Sequence, residues 1–195
     1  MLENAPFLRG RSFAALFLGL LAAFGATGCR STPGPSTEEI AGTYYAGFSF
    51  KVNRGRFQST NYRTDKESLA VPINAQIEVL KRTRHGVQAQ LEDGTTFEVQ
   101  HVAKHTKNTL EHTLGELLRT DPTDLSAYGD EERKAIEDGK VSVGMHKDTV
   151  LLAIGPPPAI GTPSLAGDTW KYWSSRFNTF LVHFDDDGIV TSIQD

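Results

Sequence analysis

Apolar and polar positions change their period several times along this chain. Residues 13–24 form an unbroken apolar run, Phe13 to Phe24. Residues 30–39, RSTPGPSTEE, are rich in Pro, Gly, Ser and Thr and carry no large apolar side chain, which reads as a flexible tether. From Thr43 the period is two. Tyr44, Ala46, Phe48, Phe50 and Val52 alternate with Tyr45, Gly47, Ser49 and Lys51, and this predicts one half-buried strand. Residues 53–68 are polar, with Phe57 and Tyr62 as isolated apolar anchors, and predict no element. A short strand is expected over 77–80, after Pro72. Val87, Ala89 and Leu91 then face Phe97 and Val99 across Asp93-Gly94, a pair that predicts a type I′ hairpin with positive φ at both residues. Short strands with tight turns over about 60 residues predict a small, partly closed β-barrel.

The period then becomes helical. Leu110, Leu114, Leu117 and Leu118 share one helix face, with Asn108 as the expected cap, Glu111 three residues on and Asp121-Pro122 as the stop. Residues 123–130 read as a hinge. Asp130 is the expected cap of a short helix with an acidic first turn, Glu131-Glu132, ending at Gly139. A second short helix over 150–154 must close at Gly155-Pro156-Pro157-Pro158. Strands are predicted over 169–173, 179–184 and 189–193, the last two joined by a hairpin at Asp185-Asp186-Asp187-Gly188. The expected class is α+β: a β-rich, barrel-like domain over 41–105, a helix and connector over 106–129, and a two-layer ααβββ domain over 130–195.

Charge and cysteine usage set the compartment. Arg9 and Arg11 precede the apolar run, and Gly25-Ala26-Thr27-Gly28 follows it, the layout of a secretory signal over residues 1–28. Twelve apolar residues are too few to span a bilayer, which takes roughly 20. Cys29 is the single cysteine, so no disulfide forms within the chain, and an unpaired thiol in an oxidising compartment calls for a modification that consumes it. Ala26-Thr27-Gly28-Cys29 resembles the lipobox of bacterial lipoproteins, with Ala26 where that motif usually has Leu. The resemblance implies cleavage between Gly28 and Cys29, a diacylglycerol on the sulfur and an N-acyl chain such as palmitate. Residue 30 is Arg, not the Asp that retains such proteins in the inner membrane, so the resemblance favours the outer membrane, with residues 29–40 tethering a periplasmic body. Removing the signal leaves a net charge near −5, which argues against nucleic acid as a partner.

A second resemblance covers about 131–195. Ile136-x-x-Gly139-x-Val141-x-x-Gly144-Met145-x-Lys147-Asp148-x-Val150-Leu151-x-x-Ile154-Gly155-Pro156-Pro157, then Trp170-x-Tyr172, then Val182-x-Phe184-x-x-x-Gly188-x-Val190, resembles the SmpA/OmlA (BamE-like) domain. His146 stands where that family commonly has a Ser or Thr helix cap. Gly144, Met145, Gly155, Pro156, Trp170 and Tyr172 have fold-determining roles in this motif, so it identifies a scaffold more than an activity. The resemblance implies an accessory outer-membrane lipoprotein that contacts an envelope protein, with the barrel-assembly machinery as the candidate partner, in outer-membrane protein assembly. The β-rich sequence ahead of it is not part of that pattern.

Chemistry is sparse. His101-x-x-x-His105 with His112 lacks the continuous helix a metal site would need and reads as solvated histidines. Asp185 to Asp187 lacks the spaced ligands of a calcium loop and reads as a turn. There is no Gly-x-Ser-x-Gly and no phosphate loop. The expectation is therefore a non-enzymatic binding protein with no metal and no cofactor beyond the lipid on Cys29. Lys81, Arg82, Arg84 and His85 read as the charged guard of an edge strand, with anionic headgroups as the functional alternative. Trp173 and Leu181 are expected on the sheet face opposite Trp170 and Val182, as a docking patch or as a surface covered by the first domain. The rival function is a periplasmic ligand- or lipid-binding lipoprotein, which a deep cleft with convergent polar groups would favour.

Overall fold

The predicted strand over 43–52 divides in two. In a computed structural model that describes residues 40–63 and 67–195, β1 (Gly42–Ala46) stops at a bend, and β2 (Phe50–Asn53) resumes with different partners. The predicted signal, Gly28, Cys29 and the tether up to residue 39 lie outside the described residues. Alternation alone does not register this break, because both strands keep their apolar side chains inward. Local sterics make it: a Cβ on Gly47 would stand 2.2 Å from the Glu116 carbonyl oxygen, and the Gly47 N–H donates to the Leu117 carbonyl at 2.8 Å. Without a side chain, the backbone fits against the following helix.

Further strands are β3 (Arg56–Gln58), β4 (Ser68–Val71), β5 (Gln76–Thr83), β6 (Gly86–Leu91) and β7 (Thr96–Gln100). A short helix, α1 (Ala103–Thr106), is followed by α2 (Leu110–Leu117) and by β8 (Leu118–Arg119), which returns to β1. The eight strands run β4-β2-β3-β7-β6-β5-β1-β8 as a curled half-barrel, antiparallel except for the β3–β7 pair. Its concave side holds Tyr44, Phe50, Phe57, Ile77, Val79, Val87, Phe97 and Val99, with Leu114 and Leu117 of α2 packed on them. Phe48, Phe50, Phe57 and Phe97 form an aromatic cluster with the closest centroids 4.9 Å apart. Each such buried side chain stabilises the fold by roughly 1.5–3 kcal/mol.

Three local expectations are corrected. At Asp93-Gly94 only Gly94 has positive φ, 85°, so the turn is not type I′. The Gly94 N–H donates to the Leu91 carbonyl, and Asp93 Oδ1 accepts from the Thr95 N–H at 2.8 Å. This longer loop with a left-handed glycine is the next most common hairpin connection, and the Asx turn at Asp93 selects it. The cap of α2 is Thr109, whose hydroxyl accepts from the His112 N–H, while Asn108 accepts from the Thr113 hydroxyl instead. Helix α2 ends before Leu118, well short of Asp121-Pro122, because pairing with β1 draws Leu118 into the sheet.

The second layer contains α3 (Asp130–Glu137), α4 (Lys147–Ile154), β9 (Thr169–Trp173), β10 (Thr179–Phe184) and β11 (Val190–Gln194), the strands in order β11-β10-β9. Asp130 is not the cap of α3: Gly129 holds that position without a side-chain bond, and Asp130 pairs with Arg133 at 2.6 Å. His146 does cap α4, its Nδ1 accepting from the Asp148 N–H at 3.2 Å. An imidazole nitrogen thus serves in place of a hydroxyl. Ile136, Met145, Val150, Ile154, Trp170, Tyr172, Val182, Phe184 and Val190 form the second core, joined by Ile73 from the half-barrel's side.

Candidate functional site

The residues that hold the two cores together come from the bend between β1 and β2 and from the strip after β3. Ser49 is 3% exposed. Its N–H donates to the Leu152 carbonyl at 3.0 Å, its hydroxyl donates to the Ile136 carbonyl at 2.7 Å and accepts from the Ile73 N–H at 2.8 Å. The Arg63 guanidinium donates to the carbonyls of Ser49 and Gly139, at 2.9 and 2.8 Å. Asn61 Nδ2 donates to the carbonyl of Ile154, the last residue of α4. The Phe48 ring lies against Gly155, where a Cβ would come within 2.4 Å of it. All described residues accordingly belong to one compact body. Sequence reasoning missed Ser49, Asn61 and Arg63. Ser49 sat in an outward-facing slot of the alternation, and the other two lay in a stretch with no periodicity.

The motif residues of the C-terminal part occupy structural positions. Gly144 and Gly155 have φ of 94° and 71°, conformations that favour glycine. Met145, Trp170 and Tyr172 are buried at 4%, 1% and 0% exposure. The Tyr172 hydroxyl donates to the Gly155 carbonyl at 2.9 Å, and burial pushes its phenol well above the usual range. Pro156 is half-buried and begins a proline-rich segment that crosses towards α1, where the Ile160 N–H donates to the His105 carbonyl at 2.9 Å.

That segment changes the setting of Trp173. A Cβ on Gly161 would fall 2.5 Å from its ring, Lys171 Nζ lies 5.6 Å from the ring centroid, and the indole is half-buried. Leu181 is half-buried as well, paired across the sheet with Lys171 and Gln194. The large apolar side chains most open to solvent stand on loops instead: Phe177 at 85%, Val143 at 65% and Ile160 at 54%.

The histidines fall on separate elements. His101 follows β7, with Nδ1 3.0 Å from the Thr113 hydroxyl oxygen, and burial pushes its pKa down. His105 lies in α1; burial, then Lys104 and Lys107, lower its pKa. His112 Nε2 lies 3.2 Å from Glu116 Oε1, and burial raises the Glu116 pKa against the opposing pull of His112. Among the described residues no three His, Cys, Asp or Glu side chains are grouped to hold a metal ion. In the 185–188 turn, Asp185 Oδ1 accepts from the N–H groups of Asp187 and Ile189.

Lys81, Arg82, Arg84 and His85 are exposed around the β5–β6 hairpin, with Arg82 Nη2 2.9 Å from Glu111. The edge-strand expectation holds for the basic end alone: β5 lies between β6 and β1, but its pairing with β1 covers only Gln76 to Val79, so the strand from Leu80 to Thr83 projects beyond that partner.

No helix among the described residues is long and apolar enough to cross a membrane. No protein-family model matches this chain, and neither a curated protein nor a solved structure matches it.

Proposed function

We propose that this chain is an outer-membrane lipoprotein, anchored by acyl chains on Cys29, whose periplasmic body binds an envelope protein and performs no chemistry. The reading joins the lipobox-like Gly28-Cys29 run to a C-terminal part resembling the SmpA/OmlA (BamE-like) domain. One observation carries it furthest: the residues of that motif are consumed by the fold. Met145, Trp170 and Tyr172 fill the second core, and Gly144 and Gly155 hold positive φ. What the molecule presents outward is therefore surface, with Val143, Ile160 and Phe177 standing on its loops. Contact surfaces are about as apolar as the rest of a protein's surface, so these loops are compatible with one.

The test is crosslinking in intact envelopes with a photoreactive residue at 177 or at 143. Adducts with barrel-assembly components are expected at one or both positions. Adducts with lipid alone, at both positions, would turn the reading towards the lipid-binding alternative.

A further inference from the structure

Two clefts meet where the half-barrel adjoins the second layer. The first, of about 460 Å³, lies beside β2 and β3 and is lined by Lys51, Arg54, Arg56 and Arg176. The second, of about 320 Å³, runs towards α1 and is lined by Lys104, Pro158, Ile160 and Trp173. Tyr62 and Arg176 line both, so the clefts form one furrow.

This furrow is cationic in a chain that is not. The whole sequence has 20 Lys and Arg against 24 Asp and Glu, whereas the furrow sets five such cations against a single lining carboxylate, Glu67. Asp65 and Lys66, beside Glu67 in the chain and outside the described residues, cancel in charge. The other polar lining is neutral, amides and hydroxyls together with His105, whose pKa burial lowers. Arg54 lies 3.0 Å from Glu67 and Arg56 3.3 Å from Glu98, with 81% and 51% of the two arginine side chains exposed. Pairs so open to water contribute about 0–1 kcal/mol, so they yield to an incoming carboxylate. Arg176, whose guanidinium lies 5.5 Å from the Phe177 ring, and Lys104 have no ion-pair partner among the described residues. Cations gathered along one furrow raise the local concentration of an anion.

The residue types select the class of anion. Trp, Tyr and Arg are the side chains that dominate binding energy between proteins, and three Arg, Tyr62 and Trp173 line this furrow. The guanidinium fork matches a carboxylate through two parallel hydrogen bonds. Half-buried Trp173 and Ile160, 54% exposed, form an apolar step beside the charges, which an inorganic anion would leave uncovered.

We propose that this furrow receives an acidic segment of the partner protein, its carboxylates paired with Arg54, Arg56 and Arg176 and an apolar side chain seated against Trp173 and Ile160. The inference rests on the reading of an envelope protein as partner, and it names the chemistry of that partner's docking segment.

The test is an NMR titration of the full-length protein, following the indole N–H of Trp173 against that of Trp170, which is buried and donates to the Leu165 carbonyl. The probes are the capped peptide acetyl-EEFEE-amide, its uncharged counterpart acetyl-QQFQQ-amide and trigalacturonate, an acidic glycan. The acidic peptide is expected to shift Trp173 saturably and to leave Trp170 in place, and the uncharged one to shift neither. Arg176→Gln is expected to weaken acidic-peptide binding about threefold or more, and the triple variant Arg54→Gln, Arg56→Gln, Arg176→Gln to abolish it. Arg176→Lys keeps the charge and is expected to retain measurable binding, and an unmoved Trp170 signal shows that each variant is folded. Equal binding of the uncharged peptide, unchanged affinity in the triple variant, no Trp173 shift at the solubility limit, or shifts confined to Lys81–His85 would overturn the proposal. Tighter binding of trigalacturonate than of the acidic peptide would assign the furrow to a glycan and overturn the protein segment. Retained protein adducts at position 143 alongside any of these failures would strike the furrow and leave the reading of a protein partner standing.

Discussion

Replacing Gly155 with alanine is expected to destabilise the body by about 2–6 kcal/mol, because two separate penalties fall on one atom. The residue has φ 71° and ψ −179°, a region almost confined to glycine, where an L side chain is strained by roughly 1–3 kcal/mol. The added Cβ would also stand 2.4 Å from the Phe48 ring, and making room for it in a packed core costs about 1–3 kcal/mol. Phe48 cannot retreat freely: its ring lies within 6.3 Å, centroid to centroid, of both Phe50 and Phe57. Gly144→Ala is the matched control. Gly144 has φ 94° but open space around the Cβ position, so only the backbone penalty applies there. Urea unfolding of the two variants should give the larger loss at Gly155. Equal losses would mean that the Phe48 contact does not limit how closely the two cores approach.

Ser49→Ala is expected to lower stability by about 1–3 kcal/mol. The hydroxyl donates to the Ile136 carbonyl and accepts from the Ile73 N–H; alanine leaves the Ile73 N–H buried without it, while the Ile136 carbonyl keeps the Gly139 N–H at 3.1 Å. A buried polar group stripped of its partner costs about 1–3 kcal/mol. The two tryptophans, Trp170 and Trp173, both lie on β9, so fluorescence follows the second core while far-ultraviolet circular dichroism follows the whole sheet content. If Ser49 couples the cores, both signals shift together to lower urea in the variant, as in a single cooperative transition. A drop in the fluorescence midpoint with the circular dichroism midpoint unchanged would show that the cores unfold separately.

These two positions also show where sequence reasoning ran out. The strands β9 and β10 were legible to the residue, since alternation, aromatic content and the Gly-Pro and Asp-Gly breaks all agree there. Burial of Trp170 and Tyr172 on one face followed from their spacing of two. The break at Gly47–Ser49 was not legible, because strands on either side of it keep the same inward phase. The partners of Ser49 are 24 and 87 residues away in the chain, and no local pattern encodes them. The same holds for Asn61, which is buried by segments from α4 and the proline run. The caps were misread by one position: Asn108 and Thr109 compete as acceptors at the start of α2, while Asp130 enters α3 and pairs with Arg133, leaving Gly129 at the cap position. The Trp173 face was ambiguous for a different reason. Its covering, the segment around Gly161, has a sequence that predicts only a loop.

The central claim is that acyl chains on one sulfur hold this body at a lipid leaflet. Fractionation of cells carrying Cys29→Ser tests it most directly. A hydroxyl cannot accept the thioether-linked diacylglycerol, and each buried methylene of the lost chains would have contributed about 0.8 kcal/mol to membrane attachment. The account predicts that the variant leaves the outer-membrane fraction and appears in the soluble periplasmic one, while the unaltered chain sediments with membranes. Sedimentation of the Cys29→Ser protein with outer membranes to the same extent as the unaltered chain would contradict it.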